Sequence, residues 1–305
     1  MIKDKIVVVI GPTASGKSDL AVKIAEKYDG EVVSADSVSV YRGLDIGSAK
    51  PTADEMRKIK HHMIDVIDCN SEFSVSDYEK TALPIVYDII NRGKLPVICG
   101  GTGFYVNSLL YEMSYGTTGA NLEIRKKYED LASTSGKEFV WRELKKVDEK
   151  TAEKLHPNDL VRVIRALEIY YSTGVKKSDI ADDLTPRFDF FPIEPYFDRE
   201  TLYDRINKRV DEMQSRGLEA EVKKLMQSGI TLDNQCMQGI GYKETYSAIL
   251  NGENFPGEII KQNSRRYAKR QITFFKKFNP YSYEKSDDTD KKLFKKLDIF
   301  LNIKK

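Results

Sequence analysis

The chain has few of the residues that build metal or disulfide scaffolds. Its 305 residues include three cysteines, Cys69, Cys99 and Cys236, far apart in the chain and without paired spacing. That excludes a disulfide framework and reads as reduced thiols of a cytosolic protein. With only three histidines and no C-x-x-C pair, a structural zinc site is not expected. Net charge is nearly absent as well: 49 basic against 47 acidic residues leave +2, so any nucleic-acid surface must be local. No apolar run approaches the ~20 residues of a membrane span. No signal peptide is expected, because the first apolar run, at 6–10, leads straight into a glycine loop. Internal repeats and low-complexity tracts are missing too. What remains is 40% hydrophobic and 31% charged, an ordinary soluble composition. The length exceeds one average domain and allows a core with an inserted or appended part.

The chain is organised around Gly11-Pro12-Thr13-Ala14-Ser15-Gly16-Lys17-Ser18, which fits G-x-x-x-x-G-K-[ST] at every fixed position. The β-branched run before it predicts a strand buried on both faces. Leu20, Ala21, Ile24 and Ala25 after it recur at helical spacing. Strand, glycine loop and helix in that order are the context this motif requires, which a chance glycine turn lacks. Its glycines let backbone N–H groups converge, and the new helix adds its positive end. Lys17 adds a full charge and the Ser18 hydroxyl can ligate Mg²⁺. The loop therefore calls for a polyphosphate, without saying which.

Residues 31–37 predict a second strand whose polar tip, Asp36 and Ser37, faces the phosphate loop, since ligands in open α/β sheets sit at the carboxyl ends of strands. Spacing alone allows Asp36 a second role as a turn or helix cap. The stretch 38–51 reads as a loop; its Arg42 and Lys50 are either phosphate contacts or solvated bases. A strand is predicted at 61–67. Its adjacent His61 and His62 would point to opposite faces and so would not share one metal; a structural or substrate-positioning role fits them better. A helix is predicted over 77–92, with a kink or a late start at Pro84. The buried strand 95–99 leads into Gly100-Gly101-Thr102-Gly103, a second wall of the same cleft. Thr102 offers a hydroxyl there or caps the helix that begins at 104. This strand does not end in the acid that usually helps phosphate-loop ATPases and GTPases hold Mg²⁺.

A Gly/Thr-rich stretch at 114–121 suggests a boundary. Beyond it the pattern is helical, roughly 122–133, 137–147 and a helix after His156-Pro157-Asn158-Asp159, with Arg162 and Arg165 three apart on one face. Strand character returns at 188–197, followed by a long helix from Asp198 to Arg216 that carries Arg205 and Arg209 one turn apart. Residues 256–280 hold seven Lys and Arg against Glu258 alone, with Arg266, Lys269 and Arg270 on one helical face and aromatics interleaved. A single-signed face of that kind favours nucleic-acid contact over plain solvation. The chain ends in an amphipathic pattern at 287–305.

Read in order, the chain resembles the bacterial tRNA dimethylallyltransferases, also called tRNA isopentenyltransferases. The stretches that carry the resemblance are GPTASGKS at 11–18, ADS at 35–37, YRGLDIGSAKPT at 41–52, HHMIDV at 61–66 and GGTGFY at 100–105. They continue with HPNDLVRVIRALEIY at 156–170, DRETLYDRINKRVDEM at 198–213, GLEAEVKKL at 217–225, MQGIGYKE at 237–244 and RRYAKRQITFFKK at 265–277. The phosphate loop alone is common; the ordered set is specific. Ser39 and Phe274 depart from it, standing where the family often has Gln and Trp. No cysteine and histidine pattern here matches the C-terminal zinc finger of eukaryotic members, which favours the bacterial type.

The resemblance implies an α/β fold: a phosphate-loop core with a parallel sheet flanked by helices, 1–112 and 188–305, and an all-helical insertion at 113–187. It implies transfer of a dimethylallyl group from dimethylallyl diphosphate to the N6 amine of adenosine 37 in the tRNA anticodon loop, with Mg²⁺ as cofactor and Ser18 as its ligand. The loop, Gly11 to Ser18, would hold the diphosphate. Lys17 and Arg205 would stabilise the leaving group, Asp36 would accept the amine proton, and Thr102 would line the passage. Contacts to tRNA map onto Asp36, Ser37, Val38, Ser39, Thr102 and Arg125, and onto Val161, Arg162, Val163, Ile164 and Arg165. The basic face of Arg266, Lys269 and Arg270 would add phosphate contacts. A cytoplasmic monomer is expected. Two rivals remain open from the residues alone: a small-molecule kinase, and a module that only binds RNA phosphate.

Overall fold

The computed structural model describes residues 3–112, 119, 121–180 and 185–303. The chain divides into two compact units, Met1–Leu110 with Pro186–Lys305, and Tyr111–Thr185. The boundary expected at 114–121 lies almost wholly outside the described residues.

The first unit is built on a six-stranded, all-parallel sheet. Its elements in chain order begin with β1 (Lys5–Ile10), α1 (Lys17–Lys27), β2 (Gly30–Ser34), α2 (Ala53–Met56), β3 (His61–His62), α3 (Val75–Asn91), β4 (Leu95–Gly100) and α4 (Gly103–Leu110). The second unit supplies α5 (Leu122–Ser135), α6 (Lys137–Val147), α7 (Glu149–Ala152) and α8 (Leu160–Thr173). The first unit resumes with β5 (Asp189–Pro195), α9 (Arg199–Ser215), α10 (Leu218–Gln227), α11 (Tyr242–Asn251), α12 (Gly257–Phe275), β6 (Tyr281–Tyr283) and α13 (Asp287–Leu301). Strand order is β3-β2-β4-β1-β5-β6. The central strands β1 and β4 are buried along nearly their whole length, as a sheet covered on both faces requires. Among the described residues no helix is long and apolar enough to cross a membrane.

Three expectations are corrected. The strand expected at 61–67 is only His61–His62, because Met63 (φ 63°) and Asp65 (φ 54°) take left-handed backbone and turn the chain away. The rest of that segment pairs with 39–41 instead, through Asp65 N to Ser39 O and Val66 N to Val40 O. The helix through Pro84 does not start late: Ser74 and Asp77 form a reciprocal cap, and α3 is continuous from Val75. Lys50 does not reach for phosphate either. It is buried and holds Asp45 at 2.7 Å, Asp65 at 2.5 Å and the Tyr41 carbonyl at 2.6 Å. Two of the cysteines spaced far apart in sequence also meet, the Cys236 thiol donating to the Cys69 carbonyl at 3.2 Å.

The helical unit has its own core of Tyr128, Val140, Leu144, Ala152, Val163, Ile164, Ala166 and Leu167. The Trp141 indole N–H spans from α6 to the Ala152 and Leu155 carbonyls at 3.0 and 2.9 Å. Asp148 caps α7 through Thr151 and also accepts from the Ser178 N–H at 2.9 Å.

Candidate active site

The carboxyl ends of β1, β2 and β4 converge on one cleft of about 340 Å³. Its floor is the phosphate loop between β1 and α1. Ala14 lies at φ 62° and Gly16 at φ 78°, so the loop turns through left-handed backbone just before the helix. The Ser15 hydroxyl is buried and has no hydrogen-bond partner among the described residues. An orphaned buried donor in this loop fits a bound anion. The Lys17 ammonium donates to the Pro12 carbonyl at 2.6 Å, inside the loop. Burial pushes its pKa down to about 8, against the pull of Cys99, Asp36 and Glu194. Ser18 lines the cleft and hydrogen-bonds the Cys99 thiol, which burial raises to about 11.

Asp36 follows β2 and faces the cleft. Its Oδ1 accepts from the Val38 N–H at 2.8 Å and the Ser39 N–H at 3.1 Å, so the residue does cap the turn. Its Oδ2 has no hydrogen-bond partner among the described residues. The cap thus engages one oxygen of the carboxylate and leaves the other uncommitted. Thr102 does not spend its hydroxyl on the helix behind it. Oγ1 accepts from the Ser37 N–H at 3.0 Å and donates to Ser37 Oγ at 3.2 Å, latching the β4–α4 turn to the Asp36 turn. Ser37, Val38 and Ser39 line the same wall.

The two arginines one turn apart on α9 part company. Arg205 lies against the outside of the phosphate loop, its Nε donating to the Ala14 carbonyl at 2.8 Å and its guanidinium over the Phe197 ring at 4.5 Å. Arg209 lines the cleft itself, and its Nη2 donates to the Ser48 carbonyl at 3.1 Å. Burial lowers its pKa, while Asp36 opposes the shift. Sequence reasoning assigned only Arg205; the shared helical face was the signal for Arg209. Glu194 was also passed over. It is an acid in β5 set against Gly11, and burial raises its pKa although Lys17 and Lys276 resist.

Gln271 on α12 is a further residue the pattern did not single out. It is buried, accepts from the Thr13 N–H at 2.9 Å and donates to the Gly101 carbonyl at 2.9 Å. It ties the phosphate loop to the β4–α4 turn, and a Cβ at Gly101 would collide with it. Gln271→Ala leaves both backbone groups unpaired, at about 1–3 kcal/mol each where water cannot reach. The variant is expected to melt several degrees lower and to bind diphosphate more weakly. Thermal melting and inorganic-diphosphate titration check this; unchanged values in both would show that the bridge is idle.

The exposed face of α12 carries Arg266, Lys269 and Arg270, none of them in an ion pair among the described residues. Arg270 also lines the cleft and stacks over Tyr267 at 5.5 Å. The excess of charge counted on this segment is partly offset, because Lys261 pairs with Asp211 of α9 at 2.8 Å. His61 lines the cleft with Nδ1 on the Ile59 carbonyl, whereas His62 bonds Glu31, which Arg92 also grips. Among the described residues no group of three or more His, Cys, Asp or Glu side chains is placed to hold a metal. That does not conflict with Mg²⁺, which keeps several waters and takes one or two protein ligands beside a substrate phosphate.

In the helical unit the expected RNA contacts divide. Val161 is 81% exposed, while Val163 and Ile164 belong to the core, so their side chains are corrected from RNA contacts to packing residues. Val163, Ile164 and Leu167 stand at i, i+1 and i+4 on the buried stripe of α8, which Val161 falls outside. Arg162 pairs with Asp159 at 3.2 Å. Arg125 and Arg165 both bind the fully buried Glu168, at 3.0 and 2.7 Å, and leave part of each guanidinium in solvent.

Comparison with known proteins places this geometry. Residues 39–278 match the family model described as IPP transferase. A tRNA dimethylallyltransferase of Acetivibrio thermocellus is 45% identical over 98% of this chain and 97% of its own. One of Bacillus cytotoxicus is 45% identical over 90% of this chain and 88% of its own. Among solved structures, the full-length tRNA isopentenylpyrophosphate transferase of Bacillus halodurans superposes with a TM-score of 0.74 at 40% identity, covering 98% of this chain and 97% of that one. A eukaryotic dimethylallyltransferase described as acting on tRNA gives 0.80 at 31% identity, covering 93% of this chain and 74% of that one.

Proposed function

The chain belongs to the IPP transferase family, and from that premise we propose that it transfers a dimethylallyl group from dimethylallyl diphosphate to N6 of adenosine 37 in tRNA. The observation that carries this reading is one cleft holding a phosphate loop, a carboxylate oxygen without a partner and an exposed cationic helix at its mouth. The allylic C–O bond breaks and diphosphate leaves; the adenine nitrogen bonds to that carbon and gives up a proton. Lys17, Arg209 and the loop N–H groups stabilise the charge that grows on the leaving oxygen. Arg205 supports the loop from outside through the Ala14 carbonyl. Ser18 is the residue that would hold Mg²⁺ with the diphosphate, where the ion supplies charge neutralisation.

The amine lone pair is delocalised into the ring, so it attacks only when oriented, and its proton becomes acidic as the bond forms. The free Oδ2 of Asp36 orients the amine and takes that proton. Thr102 keeps the Asp36 turn in register through Ser37. A base stacked in an anticodon loop cannot reach this floor, so the adenosine is turned out into the cleft. Arg125, Arg162, Arg165 and the α12 face add phosphate contacts that position rather than specify. We place the enzyme in the cytoplasm as a monomer, with its anticodon stem-loop substrate.

The direct test incubates the protein with unmodified tRNA, labelled dimethylallyl diphosphate and Mg²⁺, and counts label in RNA against diphosphate released. Transfer to tRNA and not to free AMP is expected. Tight ATP binding with turnover and no label in RNA would favour a kinase. RNA binding without diphosphate release would leave only a binding module. For the α12 face, replacing Arg266, Lys269 and Arg270 together by Ala is expected to weaken tRNA binding. Its salt dependence should flatten by at most roughly two to three units of slope. An unchanged slope in the folded variant would mean the face is merely solvated.

A further inference from the structure

Phe104 stands in the first turn of α4, two residues beyond the cleft-lining Thr102, and is 55% exposed. An exposed phenyl ring at the rim of a polar cleft loses hydrophobic stabilisation unless something covers it. The ring is held from behind. Phe274 meets it at 5.6 Å between centroids, and Phe274 in turn packs edge-on to the buried Phe275 at 5.6 Å. Lys277 sits over the Phe274 ring at 4.0 Å and donates to Asn107 Oδ1 at 2.8 Å. Gly103 makes the assembly possible, because a Cβ there would run into the Phe274 ring. The exposed ring is thus a fixed platform. It lies on the side of the cleft where Arg270 lines the mouth and Arg266 and Lys269 are exposed on the same helix as Phe274.

We propose that the Phe104 ring, backed by Phe274, is the stacking platform for an unpaired nucleobase of the RNA substrate, a neighbour of the adenosine that enters the cleft. The charge around it selects a polyanion, and an aromatic face beside cations is what a single-stranded base requires. Turning one adenosine out of the loop costs stacking with its neighbour, and this ring returns a π face to that neighbour. The inference rests on the proposed action on tRNA and adds to it the residue that meets the flanking base.

The test measures anticodon stem-loop binding and single-turnover transfer for wild type, Phe104→Leu and Phe104→Ala. Each is assayed against the normal stem-loop and against loops with one abasic nucleotide on either side of the target. Phe104→Ala is expected to lose roughly tenfold to a hundredfold in RNA affinity. Phe104→Leu, apolar without a π face, should lose most of that as well. Inorganic-diphosphate affinity and the rate at saturating RNA should stay near wild type. One abasic loop should cost wild type a similar factor and cost Phe104→Ala almost nothing further. Unchanged RNA affinity in Phe104→Ala, or an abasic penalty equal in wild type and variant, overturns the platform while leaving transfer to tRNA intact. If wild type transfers no label to any stem-loop, the premise fails and the platform with it.

Discussion

Asp36→Asn is expected to keep the fold, bind both substrates within a few-fold of wild type, and lose about a hundredfold to ten-thousandfold of its single-turnover rate, the usual loss for a positioned general base. The structure makes this substitution unusually discriminating. The cap that Asp36 provides uses Oδ1 alone, on the Val38 and Ser39 N–H groups. Asparagine keeps an oxygen there and is itself a good cap. What it removes is Oδ2, replaced by an amide that can accept no proton. Asp36→Ala removes both functions, so it should be slower still and should also weaken tRNA binding as the turn loosens. Single-turnover transfer at saturating substrates is the measurement. A rate for Asp36→Asn close to wild type would leave Asp36 only its structural role.

Lys17→Ala is expected to lower turnover by about a hundredfold to a thousandfold or more, on the scale of losing one donor from a charge-stabilising site. Binding of tRNA should be nearly unaffected, since Lys17 lies inside the loop with its ammonium on the Pro12 carbonyl. Loss of tRNA binding with normal diphosphate binding would contradict the assignment. The ordinary enzyme offers a second check. Burial holds the Lys17 pKa down to about 8 in the free protein. Below that pH the side chain carries its charge; above it the charge is lost before substrate arrives. Thus kcat/KM for dimethylallyl diphosphate should fall as pH rises through about 8. Bound diphosphate favours the charged form, so kcat should decline only at higher pH. A kcat/KM flat across that range would mean that Lys17 titrates elsewhere.

Much of the core was legible because its signals are local. The phosphate loop is eight consecutive residues, and strand β1, the loop and α1 follow one another in the chain. The cap of α9 by Asp198 and its end near Gly217 are likewise decided within one turn. Period alone placed α5 and α6 to within two residues of their observed ends. The misreadings came where a local pattern was outvoted. Apolar and β-branched residues at 61–67 look like a strand, yet pairing of this segment with 39–41 requires the left-handed turns at Met63 and Asp65. Lys50 looks like a surface base until Asp45 and Asp65 are seen to enclose it.

For this chain the sequence by itself determined the phosphate loop, the identity of its charged residues and the order of the elements, since each depends on neighbours a few positions away. Only the tertiary structure decided which side of each helix is covered. That choice separates Arg209 from Arg205, turns Val163 and Ile164 inward, sets Gln271 between two loops and leaves Phe104 outside. A helix repeats every 3.6 residues whatever it packs against. The face that meets a ligand is set by what covers the other faces, and those covering residues come from strands and helices far away in the chain.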